Sequence, residues 1–145
     1  MAALAHSRAT LRLVGDDLQP EEVTALLGAE PTMTTTRGQR NELGKGPRIW
    51  RTGSWRLEAP DAEPANPDGQ VAEILDQLTA DLAAWRSLAA RFRIDLFCGW
   101  FMAGSNEGVS LSPGTLRALG ERGIRLDIDL YGGSDDQDAA DDAPV

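Results

Sequence analysis

The residues with the most evident chemical capacity are Asp127 and Asp129. They stand two apart in Ile124 to Tyr131, where apolar and polar residues alternate. Residues two apart on a strand share a face, so the two carboxylates could hold a cation or exchange protons. Asp95 occupies a similar place in a second alternating stretch, Arg91 to Met102. The competing role is plainer. Arg12, Arg56 and Arg93 have the same outward parity, and cross-strand ion pairs would use up the aspartates. Cys98 alternates with Ile94 and Leu96, which makes it a core thiol rather than a nucleophile. His6, the single histidine, falls in a terminus expected to fray over residues 1–7. That leaves no Cys-His or Ser-His pair and no His/Cys ligand set. No catalytic residue, metal site or cofactor is therefore assigned.

Two surfaces are candidates for binding instead. Between Arg37 and Arg56 the chain carries Arg37, Arg40, Lys45, Arg48, Arg51 and Arg56 against Glu42 alone, interleaved with Gly38, Gly44 and Gly46. With Trp50 beside them, Arg37, Arg40, Lys45, Arg48 and Arg51 could grip a phosphate, a carboxylate or an acidic partner. They could equally form a solvated loop that offsets the acidic body. The glycines match no phosphate-loop or dinucleotide spacing. The other surface is a charged sheet face carrying Arg93, Asp95, Phe97, Phe101, Arg125, Asp127 and Asp129. Phe97 and Phe101 fall among the charges, and two aromatics on such a face need cover. A symmetric dimer or a bound partner would supply it, as would Ile49 or Trp50 folding over within one chain.

The elements that must position these residues are legible from periodicity. Leu11 and Leu13 alternate with Thr10 and Arg12 in a strand expected from Arg8 to Val14. Pro20, Glu21 and Glu22 start a short helix with Val23, Leu26 and Leu27 inward and Gly28 as its stop. Thr32 to Thr36 and the Trp55–Leu57 stretch read as strands, separated by a polar loop from Arg37 to Pro47. Pro60, Pro64 and Pro67 make a stiff linker. Val71, Ile74, Leu75, Leu78, Leu82, Trp85 and Leu88 then recur at helical spacing, which predicts one helix over 70–90, roughly 30 Å long. The Arg91–Met102 strand follows. Val109 to Leu111 is expected as an edge strand. Ser112-Pro113 opens a helix with Leu116 and Leu119 inward, and Ile124, Leu126, Ile128 and Leu130 face the core in a last strand.

This order predicts an α+β fold: a mainly antiparallel sheet with helices on one face, a ferredoxin-like βαββαβ core and a C-terminal strand-helix-strand extension. The chain has 145 residues, one cysteine and a net charge of −9. The length suits one domain, taken as residues 8–131, ahead of an acidic tail over 132–145 expected to be disordered. The acidity argues against nucleic-acid binding, because phosphate contacts need a basic surface. No apolar run is long enough to span a bilayer, and the first residues lack a signal-peptide pattern, so a cytoplasmic protein is expected.

Gly15-Asp16-Asp17-Leu18-Gln19-Pro20-Glu21-Glu22, Leu27-Gly28, the Trp55 strand, Leu111-Ser112-Pro113 and Asp129-Leu130-Tyr131 together resemble the bacterial family called domain of unknown function 4279, over about residues 8 to 131. The resemblance implies a small α+β domain and supplies no activity. Two readings remain. One is a non-catalytic binding or protein-interaction module, with an immunity-type inhibitor among its forms, meeting a protein partner or a second copy through the open sheet face. The alternative is a hydrolase or metal-dependent enzyme using Asp95, Asp127 and Asp129.

Overall fold

The computed structural model describes residues 2–41 and 48–133; Lys45 and the acidic tail after Gly133 lie outside the described residues. The elements run β1 (Ala2–Ala3), β2 (His6–Gly15), α1 (Pro20–Leu27), β3 (Met33–Thr35), β4 (Arg40–Asn41), β5 (Arg48–Ile49) and β6 (Gly53–Glu58). They continue with α2 (Pro67–Leu75), α3 (Leu82–Arg91), β7 (Arg93–Phe101), β8 (Glu107–Gly108), α4 (Pro113–Glu121) and β9 (Arg125–Tyr131). Five strands form the main sheet in the order β3-β6-β2-β7-β9. All neighbours are antiparallel except β9, which runs parallel to β7. Taken in chain order, β2, β3, β6 and β7 have the arrangement of a ferredoxin-like βαββαβ core, and β9 extends it by one strand. The α+β architecture expected from the sequence is present.

Strand parity separates the two faces. Leu11, Leu13, Trp55, Leu57, Ile94, Leu96 and Cys98 are buried on the helix side. Val23 and Leu27 of α1, Val71 and Ile74 of α2, and Trp85 and Leu88 of α3 are buried in the same core. The residues between them on the strands form the opposite face, which no helix covers among the described residues. α2 is fixed to β2 by a buried polar contact: Ser7 Oγ donates to Gln70 Oε1 at 2.7 Å, and Gln70 Nε2 donates to Ser7 O at 2.8 Å.

The single helix expected over 70–90 is two helices. Asn66 caps α2 with Pro67 at its first position, so Pro67 opens the helix and does not belong to the linker. The chain then leaves helical geometry between Leu75 and Leu82 and restarts at Asp81, whose side chain accepts from Ala83 N at 3.0 Å. Two contacts hold the turn: Thr79 N donates to Leu27 O at 2.8 Å, and Trp85 Nε1 donates to Thr79 O at 2.8 Å. No glycine or proline marks the break, and the apolar spacing carries across it, so periodicity alone reads through.

Other expectations also shift. β2 begins at His6 rather than Arg8, and residues 2–4, expected to fray, are tied down. β1 pairs with β8, Leu4 N donates to Gly108 O at 2.9 Å, and Leu4 is buried. Glu107 secures the junction by accepting from the backbone N–H groups of Ala5, Ala103 and Gly104. The short strand expected at Val109–Leu111 is instead Glu107–Gly108, outside the main sheet. Leu26 and Leu116, expected inward, are exposed, and Thr115 shares the buried side of α4 with Leu119. On β9 the helical cover ends after Leu126: Ile128 is 41% and Leu130 62% exposed although both have core parity.

Candidate functional site on the open sheet face

Register arranges the open face in rows. In one row Arg56, Arg12, Asp95 and Arg125 lie side by side across β6, β2, β7 and β9. Arg12 donates to both carboxylate oxygens of Asp95, from Nε at 2.8 Å and from Nη2 at 2.5 Å. Asp95 is almost wholly buried, a quarter of the Arg12 side chain is exposed, and the Arg12 guanidinium lies 4.3 Å from the centroid of Phe97. The hydrogen bonds to Asp95 raise the pKa of Arg12 against the lowering effect of desolvation, so its charge is permanent.

The last row of the face is aromatic. His6, Phe101 and Tyr131 meet there from β2, β7 and β9, with ring centroids 4.7 and 4.6 Å apart. Arg8 lies over the Phe101 ring at 5.6 Å and donates to Asp61 at 2.9 Å. Between this row and Phe97 comes Gly99, where an added Cβ would stand 3.1 Å from Phe101 Cε2. A cleft of about 500 Å³ results, lined by Arg8, Arg12 and Arg56 on one side and Phe97, Phe101 and Tyr131 on the other, with Glu58 and Asp61 at its rim. Its volume is within the range of small-molecule sites.

The sheet-face residues singled out from sequence are thus all on this face, but they do different things. Phe97 and Phe101 line the cleft; Asp95 lies behind it, paired with Arg12. Asp127 pairs with Arg125 at 3.0 Å, and Asp129 accepts weakly from Tyr131 Oη at 3.4 Å. Arg93 is exposed at the start of β7 and has no ion pair among the described residues. Neither Ile49 nor Trp50 covers the phenylalanines. Ile49 is 68% exposed, and Trp50 lines a separate hollow of about 150 Å³ with Val14, Met33 and Arg56.

The cationic segment is a separate feature. Arg40 and Arg48 belong to the small β4–β5 hairpin, which Gly38 N closes by donating to Trp50 O at 2.9 Å. Arg37, Arg40, Arg48 and Arg51 are exposed and line none of the cavities among the described residues, while Lys45 lies outside the described residues. Only Arg56, at the segment's end, reaches the cleft. Sequence reasoning missed Arg8, His6 and Tyr131. The clue was available: His6, Arg8, Thr10 and Arg12 share one parity, hidden because the intervening Ser7 and Ala9 are too small to read as core.

Among the described residues, no group of three or more His, Cys, Asp or Glu is placed to hold a metal ion, and no helix is long and apolar enough to cross a membrane. Cys98 is buried, and desolvation, with Asp95 nearby, pushes its thiol up to about 11. The family model for Domain of unknown function (DUF4279) matches residues 5–133, from β1's neighbour Ala5 through the end of β9.

The chain belongs to the DUF4279 family. The match covers every strand of the main sheet and all four helices, so in this DUF4279 chain the open face and its cleft are part of the family domain itself. No curated protein and no solved structure matches the chain.

Proposed function

We propose that this DUF4279 domain is a non-catalytic binding module whose working surface is the open sheet face. The observation that carries the reading is the cleft itself: aromatic rings and guanidinium groups line it, and among the described residues no helix contributes to its lining. The aspartates on which an enzyme would depend support the same reading. Asp95 is held by Arg12 and Asp127 by Arg125, and none of Asp95, Asp127 and Asp129 lines the cleft. A carboxylate fixed in a bidentate pair is poorly placed to exchange protons with a substrate. A protein segment or a second copy of the chain would cover the same rings.

The test uses ¹⁵N-labelled protein titrated with the macromolecular and the small-molecule fractions of a host-cell extract. Amide shifts confined to β2, β6, β7 and β9 are the expected result. Shifts confined to the outer surfaces of α2 to α4, or no shifts, would overturn the reading. So would hydrolysis of p-nitrophenyl esters or phosphates by the wild type that is lost in Asp127→Asn.

A further inference from the structure

Arg56 is the least explained charge on the open face. It is half-buried and directly opposite Arg12, and no carboxylate pairs with it among the described residues. Arg12 is already engaged by Asp95. Glu58, two residues along β6, lines the same cleft without pairing with Arg56. Like charges facing each other across a strand pair repel, so this corner favours an additional anion. A guanidinium is well suited to take one, since its planar donors match both carboxylate and phosphate.

The other end of the cleft has a different character. Phe97 and Phe101 are four residues apart on β7, hence roughly 13 Å between Cα atoms. Gly99 lies between them, and the Phe101 ring leans over it, 3.1 Å from where a Cβ would stand. Both faces of Phe101 are taken by His6 and Tyr131, and Arg12 stacks on Phe97. What stays open is the space between the edges of these rings and the guanidinium groups of Arg8, Arg12 and Arg56.

On the reading that the open face is the working surface, we infer that this cleft binds a small organic anion: its carboxylate or phosphate is held by Arg56 and Arg12, and its apolar body packs against the edges of Phe97 and Phe101. The experiment is calorimetric titration of the full chain with adenosine 5′-monophosphate and, separately, with anthranilate. Adenosine and inorganic phosphate serve as half-ligands. The expected result is saturable binding of at least one of the two whole probes at concentrations up to about 1 mM. Arg56→Gln should weaken it about tenfold or more, and Phe97→Leu should weaken it as well. Arg117→Gln, on the exposed side of α4 away from the open face, should leave it unaltered.

Failure of both whole probes to bind would overturn the inference. Binding indifferent to Arg56→Gln would do so too, as would inorganic phosphate binding as tightly as the nucleotide. Silent probes combined with extract-induced shifts on β2, β6, β7 and β9 would mean that the ligand class is wrong and the open-face reading stands. Silence in both experiments removes both.

Discussion

Arg12 and Asp95 stand directly opposite each other on β2 and β7, joined by two hydrogen bonds at the centre of the open face. The Asp95 side chain is almost wholly buried and the Arg12 side chain three-quarters buried, so neither charge is comfortable without the other. Their contribution is best measured by removing one partner.

Asp95→Ala should destabilise the fold by about 2–4 kcal/mol, because it leaves a largely desolvated guanidinium unpaired. Asp129→Asn, on the exposed part of the same face, should stay within about 0.5 kcal/mol. Urea denaturation monitored by tryptophan fluorescence distinguishes the two. Equal losses would show that the buried pair is not the central tie.

Asp68, at the start of α2, accepts from Thr115 Oγ1 at 2.6 Å and from Ser112 N at 3.0 Å, which joins α2 to the cap of α4. These hydrogen bonds hold its carboxyl below the ordinary carboxylate range. A pKa depressed in the folded state adds stability that is complete above the unfolded value, near 4, and is lost as pH falls through the folded value. Asp68→Asn should therefore flatten the stability profile below about pH 4 and leave its shape unchanged between about pH 6 and 8. Melting temperatures across that range give the answer, and a profile identical to wild type below pH 4 would refute the assignment.

Cys98 should behave as an inert core residue. Buried, with its thiol pushed up to about 11, it should resist a chromogenic disulfide reagent at neutral pH and react fully once the chain is unfolded. Because burial favours the neutral thiol, this group's stability contribution is complete below the unfolded value, near 9, and declines as pH rises toward 11. Rapid stoichiometric labelling of native protein would contradict this.

The break between α2 and α3 gives a fourth measurement. Asp81→Ala removes the cap of α3 and should cost about 1 kcal/mol, within the usual range for such caps. No change in the denaturation midpoint would mean that Thr79 and its bonds to Leu27 and Trp85 restart the helix unaided.

Most of the scaffold was legible because its signals are local. The alternation of Ile94, Leu96 and Cys98 located the central strand and its buried face. Pro20 with Gly28, and Ser112 with Pro113, marked helix boundaries through capping chemistry that needs no tertiary context. What escaped notice depends on distant partners. Thr79 ends a helix by reaching Leu27, about fifty residues earlier in the chain. His6 joins a strand because it pairs with Phe101 and stacks on its ring, and Ser7 becomes a core residue because Gln70 satisfies its hydroxyl. The charged face follows from parity, but the cleft in it does not, since it forms only where the sheet brings Arg8 and Tyr131 together from opposite ends of the chain.

The aromatic row of His6, Phe101 and Tyr131 has a mechanical meaning as well. It places the first residue of β2 and the last residue of β9 at the same end of the sheet, on strands flanking β7. Tension applied between those two points would peel the strands apart from that end, loading the ladder one rung at a time instead of shearing it as a whole. Under stretching, this sheet should open at low force, with the stacked rings as the first catch to give way.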